Sequence, residues 1–316
     1  MARSIAAGLG LMEFPFDTTA GFWRWVDLCE QGGADSIWQT DRLVSTSPIL
    51  ECMSVMAALA GRTRRIKFGV NVISLAMRDP VLLAKQCATI DVLSQGRLLP
   101  AFGIGSPRGP EWAALHLATT TRGRVTDEAL EIIRRLWRED RVDFEGRHFH
   151  LTGASISPKP VQPDLPMWIG GSSEAAIRRT ALYGTGWQAG AETPEEVAPV
   201  IAAIRDASKR AGRPLDEDHY GAAISFRFGT PDEPRLRPAM ESYRKRTGRD
   251  PLSYFAIGGA ETILRRISEY VDAGISKFIL RPAASGDEDM MGQTRQLLEQ
   301  VLPAMALRWP RPRRAA

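Results

Sequence analysis

The residues of this chain best placed to do chemistry are small, and few of them are acids or bases. Asn71-Val72, Ser106-Pro107-Arg108, Gly170-Gly171-Ser172 and Ala189-Gly190-Ala191 each close a short apolar run. Glycine lets a backbone approach a ligand closely. N–H groups ahead of a helix, as in Gly170-Gly171-Ser172-Ser173, suit a phosphate or a carbonyl oxygen. Polar side chains at equivalent places are Asp41, Arg42, Ser74 and Arg281. Of the four histidines, only His116 falls in such a loop; His148 and His150 lie in a hairpin and His219 just before a strand. No cluster of His, Cys or carboxylates has metal-ligand spacing, and no Gly-x-Ser-x-Gly elbow occurs, so no metal and no acyl-transfer serine is expected. A site of backbone donors and small residues suits a large planar cofactor that carries its own chemistry. Arg42, Arg108 and Arg281 add an anion preference, for cofactor phosphate or an anionic substrate, because planar guanidinium forks match both.

Placing these residues together is the task of the surrounding elements. Short apolar runs at Ile5–Leu9, Ser36–Trp38, Ile66–Val72, Leu98–Ile104, Pro166–Ile169, around Trp187, Ala222–Phe228 and Lys277–Leu280 read as strands. Helical periodicity lies between them: Phe22, Trp25, Val26 and Cys29 share one face, and further helices are expected over Pro48–Ala60, from Pro80, over Thr126–Trp137, over Glu261–Asp272 and to Met305. Pro80 suits a first helical position and Gly96 a left-handed stop. Val142–Phe144 and His148–Leu151, around Glu145-Gly146, read as a hairpin outside the pattern. Eight strands alternating with helices predict a parallel (β/α)8 TIM barrel. Counting alone leaves a doubly wound open sheet as the alternative. In a barrel the residues singled out above all follow strands and so face one mouth.

Gly229–Ile257 breaks the rhythm. It is charged and proline-containing, follows the seventh strand, and reads as an active-site lid with few core contacts. The expected organisation is one domain over residues 1–306 with this insertion, then a basic disordered tail at 307–316. Lys+Arg 41 against Asp+Glu 37 gives a net charge of +4. Arg308, Arg311, Arg313 and Arg314 carry that excess in the tail, so neither nucleic acid nor a membrane surface is expected as a partner. Cys29, Cys52 and Cys87 are far apart, sit in predicted helices and read as buried small hydrophobes. No run has membrane-spanning length, and Met1-Ala2-Arg3 leads straight into a strand, so the expected location is cytoplasmic.

Two stretches go further. Arg78-Asp79-Pro80-Val81-Leu82-Leu83-Ala84-Lys85, with Asp91-Val92-Leu93-Ser94-Gln95-Gly96-Arg97 and Gly103-Ile104-Gly105, resembles the signature of the luciferase-like flavin or deazaflavin oxidoreductases. Pro158-Lys159-Pro160-Val161-Gln162-Pro163, then Gly170-Gly171-Ser172-Ser173 and Gly184-Thr185-Gly186-Trp187, resembles the same family downstream. The resemblance runs from Ser4 to about Leu280 and implies the barrel rather than the open sheet. It implies reduced FMN or coenzyme F-420 as cofactor, contacted by Ser106 and by the loops holding Gly170, Gly171, Ser172, Ala189, Gly190 and Ala191. It also implies a bulge at Asn71-Val72, often with a non-proline cis peptide, against one face of the ring. A homodimer through the helices near Pro48–Ala60 and Pro80–Leu93 is expected, where Met53, Met56, Ala57 and Ala58 exceed what a solvated helix needs.

Departures from the family pattern bear on the reaction. Deazaflavin sugar dehydrogenases carry a histidine after the aspartate of the second strand, where this chain has Asp41-Arg42. They also carry a glutamate soon after the fourth strand, where this chain has Ser106-Pro107-Arg108 with Glu111 displaced. The first reading is therefore a monooxygenase using reduced FMN and O2 on a small organic substrate, with a flavin reductase as partner. Hydride transfer through coenzyme F-420 is the second, and a non-catalytic flavin-binding protein the third. Asp41, Arg42, Arg108 and His116 are the catalytic candidates, and Arg281 the substrate or anion ligand.

Overall fold

A computed structural model of the chain describes residues 4–310. Its strands are β1 (Ala6–Leu11), β2 (Ser36–Gln39), β3 (Lys67–Ser74), β4 (Leu98–Gly103), β5 (Val142–Glu145), β6 (His150–Ala154), β7 (Trp168–Gly170), β8 (Gly186–Gln188), β9 (Tyr220–Arg227), β10 (Ala256–Ile257) and β11 (Lys277–Pro282). The parallel ladder runs β11-β1-β2-β3-β4-β7-β8-β9, and β9 also pairs with β11, which closes an eight-stranded barrel and excludes the open sheet. β5 and β6 form the expected hairpin outside it.

Side chains alternate along a strand, so each barrel strand sends every second residue inward. Trp38, Leu99, Ala223 and Ile279 form one buried interior layer. Two tryptophans are too large for a barrel interior unless their neighbours are small. A Cβ on Gly69 would lie 2.6 Å from the Trp38 ring, and one on Gly186 would lie 2.7 Å from Trp168. Glycine at these strand positions is therefore set by packing.

The helices are α1 (Thr19–Gln31), α2 (Cys52–Arg62), α3 (Pro80–Ser94), α4 (Glu111–Ala114), α5 (Arg122–Arg138), α6 (Glu174–Tyr183), α7 (Pro194–Arg210), α8 (Arg237–Thr247), α9 (Ala260–Asp272), α10 (Asp287–Gln296) and α11 (Leu302–Arg308). α2 starts at Cys52 rather than Pro48 because Glu51 caps it, accepting from the N–H groups of Met53 and Ser54. α3 begins at Pro80 behind an Asp79 cap and ends at left-handed Gln95 and Gly96. The last helix reaches Arg308, and Trp309 packs on the core, so the chain stays structured past the expected boundary at 306. The tail expectation for Arg311, Arg313 and Arg314 lies outside the described residues. All three cysteines are buried and free, as expected.

The segment after β9 is not the bare polar loop its composition suggests. It holds α8, and Leu236, Tyr243, Tyr254, Phe255 and Ile257 build a small apolar cluster of their own. Tyr243 and Tyr254 stack at 5.0 Å between centroids. Aromatic side chains bury large areas, so a few of them at irregular spacing suffice.

The two stretches that carry the family resemblance meet in space. Asp91 is fully buried on α3, and its Oδ2 accepts the N–H groups of Val161 (2.8 Å) and Gln162 (3.0 Å). Its Oδ1 accepts Gln162 Nε2 at 2.7 Å. These bonds fix the loop that leads into β7. Replacing Asp91 by Ala should lower stability by about 2–4 kcal/mol, because buried donors lose their partners. Urea unfolding at constant m-value measures it; a loss below about 1 kcal/mol would show the tie to be dispensable.

Candidate active site

The mouth is shaped first by a slip in β3. Pairing with β4 is regular to Val70, shifts, and resumes at Ile73, and the Asn71–Val72 peptide is cis. Both features agree with the expected bulge. Val72 then seats between the ends of β4 and β7. A Cβ on Gly103 would fall 2.6 Å from Val72 Cγ2, and one on Gly170 would fall 2.9 Å from Val72 Cγ1. Asn71, Val72 and Gly170 are thus brought together, but Gly170 makes room for Val72 rather than for a ligand.

Asp41 holds the far end of this bulge. Its side chain is 2% exposed. Oδ2 accepts the Ser74 N–H at 2.9 Å, and Oδ1 accepts Arg78 Nη2 at 2.7 Å. Arg78 also reaches Glu51 Oε1 at 3.2 Å. Burial works against the Arg78 charge, but Asp41, Cys52 and Glu51 outweigh it and hold the guanidinium above its ordinary value. Burial, with Asp41 beside it, pushes the Cys52 thiol far up, so it is inert as a nucleophile. Arg78 is a site residue that sequence reading passed over, although it opens the first quoted motif.

The three arginines expected at the mouth occupy different settings. Arg42 is half exposed, and its Nε lies 3.3 Å from Oε1 of Glu111, whose side chain is 6% exposed. The one-turn helix α4 folds that glutamate back, and its carboxylate lies over Gly109, where a Cβ would sit 2.2 Å from Oε2. Glu111, set aside in the sequence as displaced, is therefore a buried carboxylate beside Arg42. Ser106 and Arg108 are exposed, and the Ser106 carbonyl accepts Trp112 Nε1 at 2.7 Å. His116 is exposed in a left-handed conformation (φ 55°). Arg281 comes from the end of β11 and lies against β1, with Cγ 3.2 Å from where a Gly10 Cβ would be. Its Nε is buried, and no ion pair or hydrogen bond to its side chain occurs among the described residues.

Two turns form the opposite wall. After β7, Gly171 sits at φ 105°, its carbonyl accepts Trp187 Nε1 at 2.8 Å, and Ser173 caps α6. After β8, Ala189 is buried while Gly190 and Ala191 reach the surface side. A Cβ on Gly190 would meet Glu192 Oε2 at 3.3 Å, so its surroundings demand glycine less than those of Gly170. Gly190 and Ser172 meet through one group: the Glu192 carboxylate takes the Gly190 N–H on Oε2 at 2.6 Å and the Ser172 hydroxyl on Oε1. Beneath the start of α6 lies a cavity of about 60 Å³, lined among others by Gly171, Ser173, Thr126 and Arg179. Thr126 is 1% exposed and its hydroxyl has no partner, while Arg179 is anchored to Asp127 at 2.6 Å. An orphaned hydroxyl at a helix N-terminus fits a phosphate group. Nothing in the sequence marked Thr126.

The fold and this mouth define a class. Residues 6–252 match the family described as luciferase-like monooxygenase, and the chain belongs to that family. An uncharacterized protein of Mycobacterium tuberculosis is 32% identical over 167 residues, covering 52% of this chain and 57% of that relative's length. The monooxygenase RslO1 of Streptomyces bottropensis superposes with TM-score 0.82 at 20% identity, over 96% of this chain and all of that one. An F420-dependent secondary alcohol dehydrogenase, solved with an F420-acetone adduct, also reaches TM-score 0.82 at 20% identity, over 95% and 99% of the two chains. At these identities the two structures show the shared fold.

Arg78 and Arg281 should respond oppositely to truncation. Arg78→Met strands the buried Asp41 and should cost about 3 kcal/mol, whereas Arg281→Met removes an unpaired charge and should change stability by less than about 1 kcal/mol. Parallel thermal and urea unfolding of both variants checks this; equal losses would contradict the assignment of Arg78 as the anchor.

Proposed function

We propose that this chain is an oxidoreductase that binds reduced FMN at the barrel mouth and oxygenates a small organic substrate with O2. The observation that carries the reading is the seat of Val72 between Gly103 and Gly170, which presents a small, apolar surface beside backbone donors. When bound, the flavin supplies the redox chemistry. The chain's own residues bind and orient. Asn71 and Val72 would support one face of the ring. Gly171, Ser173 and the free Thr126 hydroxyl would take the phosphate. Arg281, unpaired at the floor, would meet an anionic or carbonyl oxygen of cofactor or substrate.

The rim favours an apolar substrate body. Met12, Leu43, Leu115 and Leu117 are exposed on loops after β1, β2 and β4, all of which open at the mouth end. Residues 229–257 serve as the lid and exclude water. Asp41 acts by holding the bulge, since its oxygens are engaged by Ser74 and Arg78. Arg42 and Arg108, with His116, are left as candidates for substrate contact.

The second reading, hydride transfer through coenzyme F-420, gains from one observation. Glu111, which in the sequence stands displaced from the position after the fourth strand, is a buried carboxylate beside Arg42. The third reading, a flavin-binding protein without turnover, gains no such support. Reduced flavin for a monooxygenase must be supplied, so a flavin reductase is the partner class we assign. A homodimer is proposed through α2 and α3, not on the expected Met53 and Met56, which are buried in the core, but on exposed Ala57 and Ala58 of α2 and on Leu82 and Leu93 of α3, 59% and 63% exposed. Among the described residues no helix is long and apolar enough to cross a membrane. We assign a cytoplasmic location.

Titration with FMN and with coenzyme F-420, followed by flavin fluorescence, tests the cofactor. FMN should bind the more tightly, and Gly170→Val should weaken it by about tenfold or more while leaving the circular dichroism spectrum intact, because Val72 is displaced. Tighter F-420 binding selects the second reading. Sedimentation should give a dimer at micromolar concentration; monomer alone would refute that interface.

A further inference from the structure

The two turns proposed to face the cofactor already hold an anion, and it is the chain's own. The Ser172 hydroxyl and the Gly190 N–H both donate to the Glu192 carboxylate, one to each oxygen. No cation pairs with that carboxylate among the described residues. Its charge rests on one hydroxyl and one backbone N–H, two neutral donors that are equally suited to a phosphate oxygen. The backbone behind it is held by α9 and by the segment after β9. The Glu192 carbonyl accepts the Tyr270 hydroxyl at 2.7 Å, and the Ala191 carbonyl accepts Arg249 Nη1 at 3.1 Å. The main chain is thus fixed while the side chain lies across the donors, held only at its tip.

We propose that Glu192 sets this chain's affinity for a phosphate-bearing cofactor, by occupying with its carboxylate donors that the phosphate would otherwise use. The inference rests on the cofactor reading above. Two anions cannot share the pair of donors, and repulsion between them at close range opposes binding. Entry of a phosphate on this side of the turn therefore requires the Glu192 side chain to swing away. Because the fixed point is the backbone, the swing needs rotation about side-chain bonds and no loop opening. The free Thr126 hydroxyl lines a separate cavity against Gly171 and Ser173 of the same loop, so it does not compete with Glu192 for the Ser172 and Gly190 donors.

The experiment compares cofactors with and without phosphate. Dissociation constants for FMN and riboflavin are measured by fluorescence on the full chain, on Glu192→Gln and on the double variant Glu192→Gln/Ser172→Ala. Coenzyme F-420 and its phosphate-free deazaflavin core are run alongside. The neutral amide keeps the shape of Glu192, so Glu192→Gln should bind FMN about tenfold tighter and leave riboflavin unchanged. Removing the Ser172 hydroxyl in that background should return most of the gain. Equal shifts for FMN and riboflavin, or no shift for either, would overturn the proposal and leave Glu192 as a latch between two turns. Binding of neither flavin nor deazaflavin to any form would overturn the cofactor reading itself, and this inference with it.

Discussion

The mouth of this barrel depends on how the chain leaves β3. Between Val70 and Ile73 the ladder slips, and the slip turns Val72 into the seat made by Gly103 and Gly170. What stops the strand from running on is Asp41, at the end of the neighbouring strand. One of its oxygens takes the Ser74 N–H and the other takes Arg78. Desolvating two charges offsets much of their attraction, so such a pair adds little net stability over an apolar substitute. Its effect is positional. Arg78 links Asp41 to Glu51, which caps α2, and sits one residue before Asp79, which caps α3. One guanidinium thereby joins the aspartate that holds the end of β3 to the glutamate that starts α2.

The barrel was legible in the sequence because its signals are local. A strand buried on both faces is apolar throughout, and Pro80 and Gly96 mark helix ends by their own backbone preferences. Residue types at the site were legible in the same way, but not the reasons for them. Gly170 reads as backbone that must approach a ligand, whereas its missing side chain leaves room for Val72, from a distant strand. Glu111 reads as displaced because distance along the chain was the measure; the short turn of α4 brings it back to Arg42. Thr126 carried no signal at all, since an unsatisfied hydroxyl is a property of its surroundings. The segment after β9 misled by composition. Its apolar members divide into short runs, Leu236, Met240 and Tyr243 at helical spacing and Phe255 and Ile257 at strand spacing, each too short to stand out among the charged residues, and only the fold collects them.

That cluster also constrains how the segment moves. At its start, buried Arg227 at the end of β9 pairs with Glu233 at 2.8 Å and Asp289 at 3.1 Å, and Arg235 reaches Asp289 at 2.8 Å. At its end, Ala256 and Ile257 pair with β9 as β10. Both ends are thus tied to the same strand, and a hinge at either would break buried ion pairs or sheet bonds. Between them, Tyr243 of α8 packs in the cluster with its hydroxyl 3.4 Å from the Ala191 carbonyl, and Arg249, just past α8, donates to the same carbonyl and pairs with Glu196. Lifting α8 would expose the buried Tyr243, Tyr254 and Phe255, so the aromatic cluster resists opening, whereas the half-exposed Arg249–Glu196 pair resists little. The lid role proposed above for residues 229–257 therefore requires α8 to leave that cluster between two tied ends. The turn that Tyr243 and Arg249 rest against is the one that carries Gly190 and Glu192.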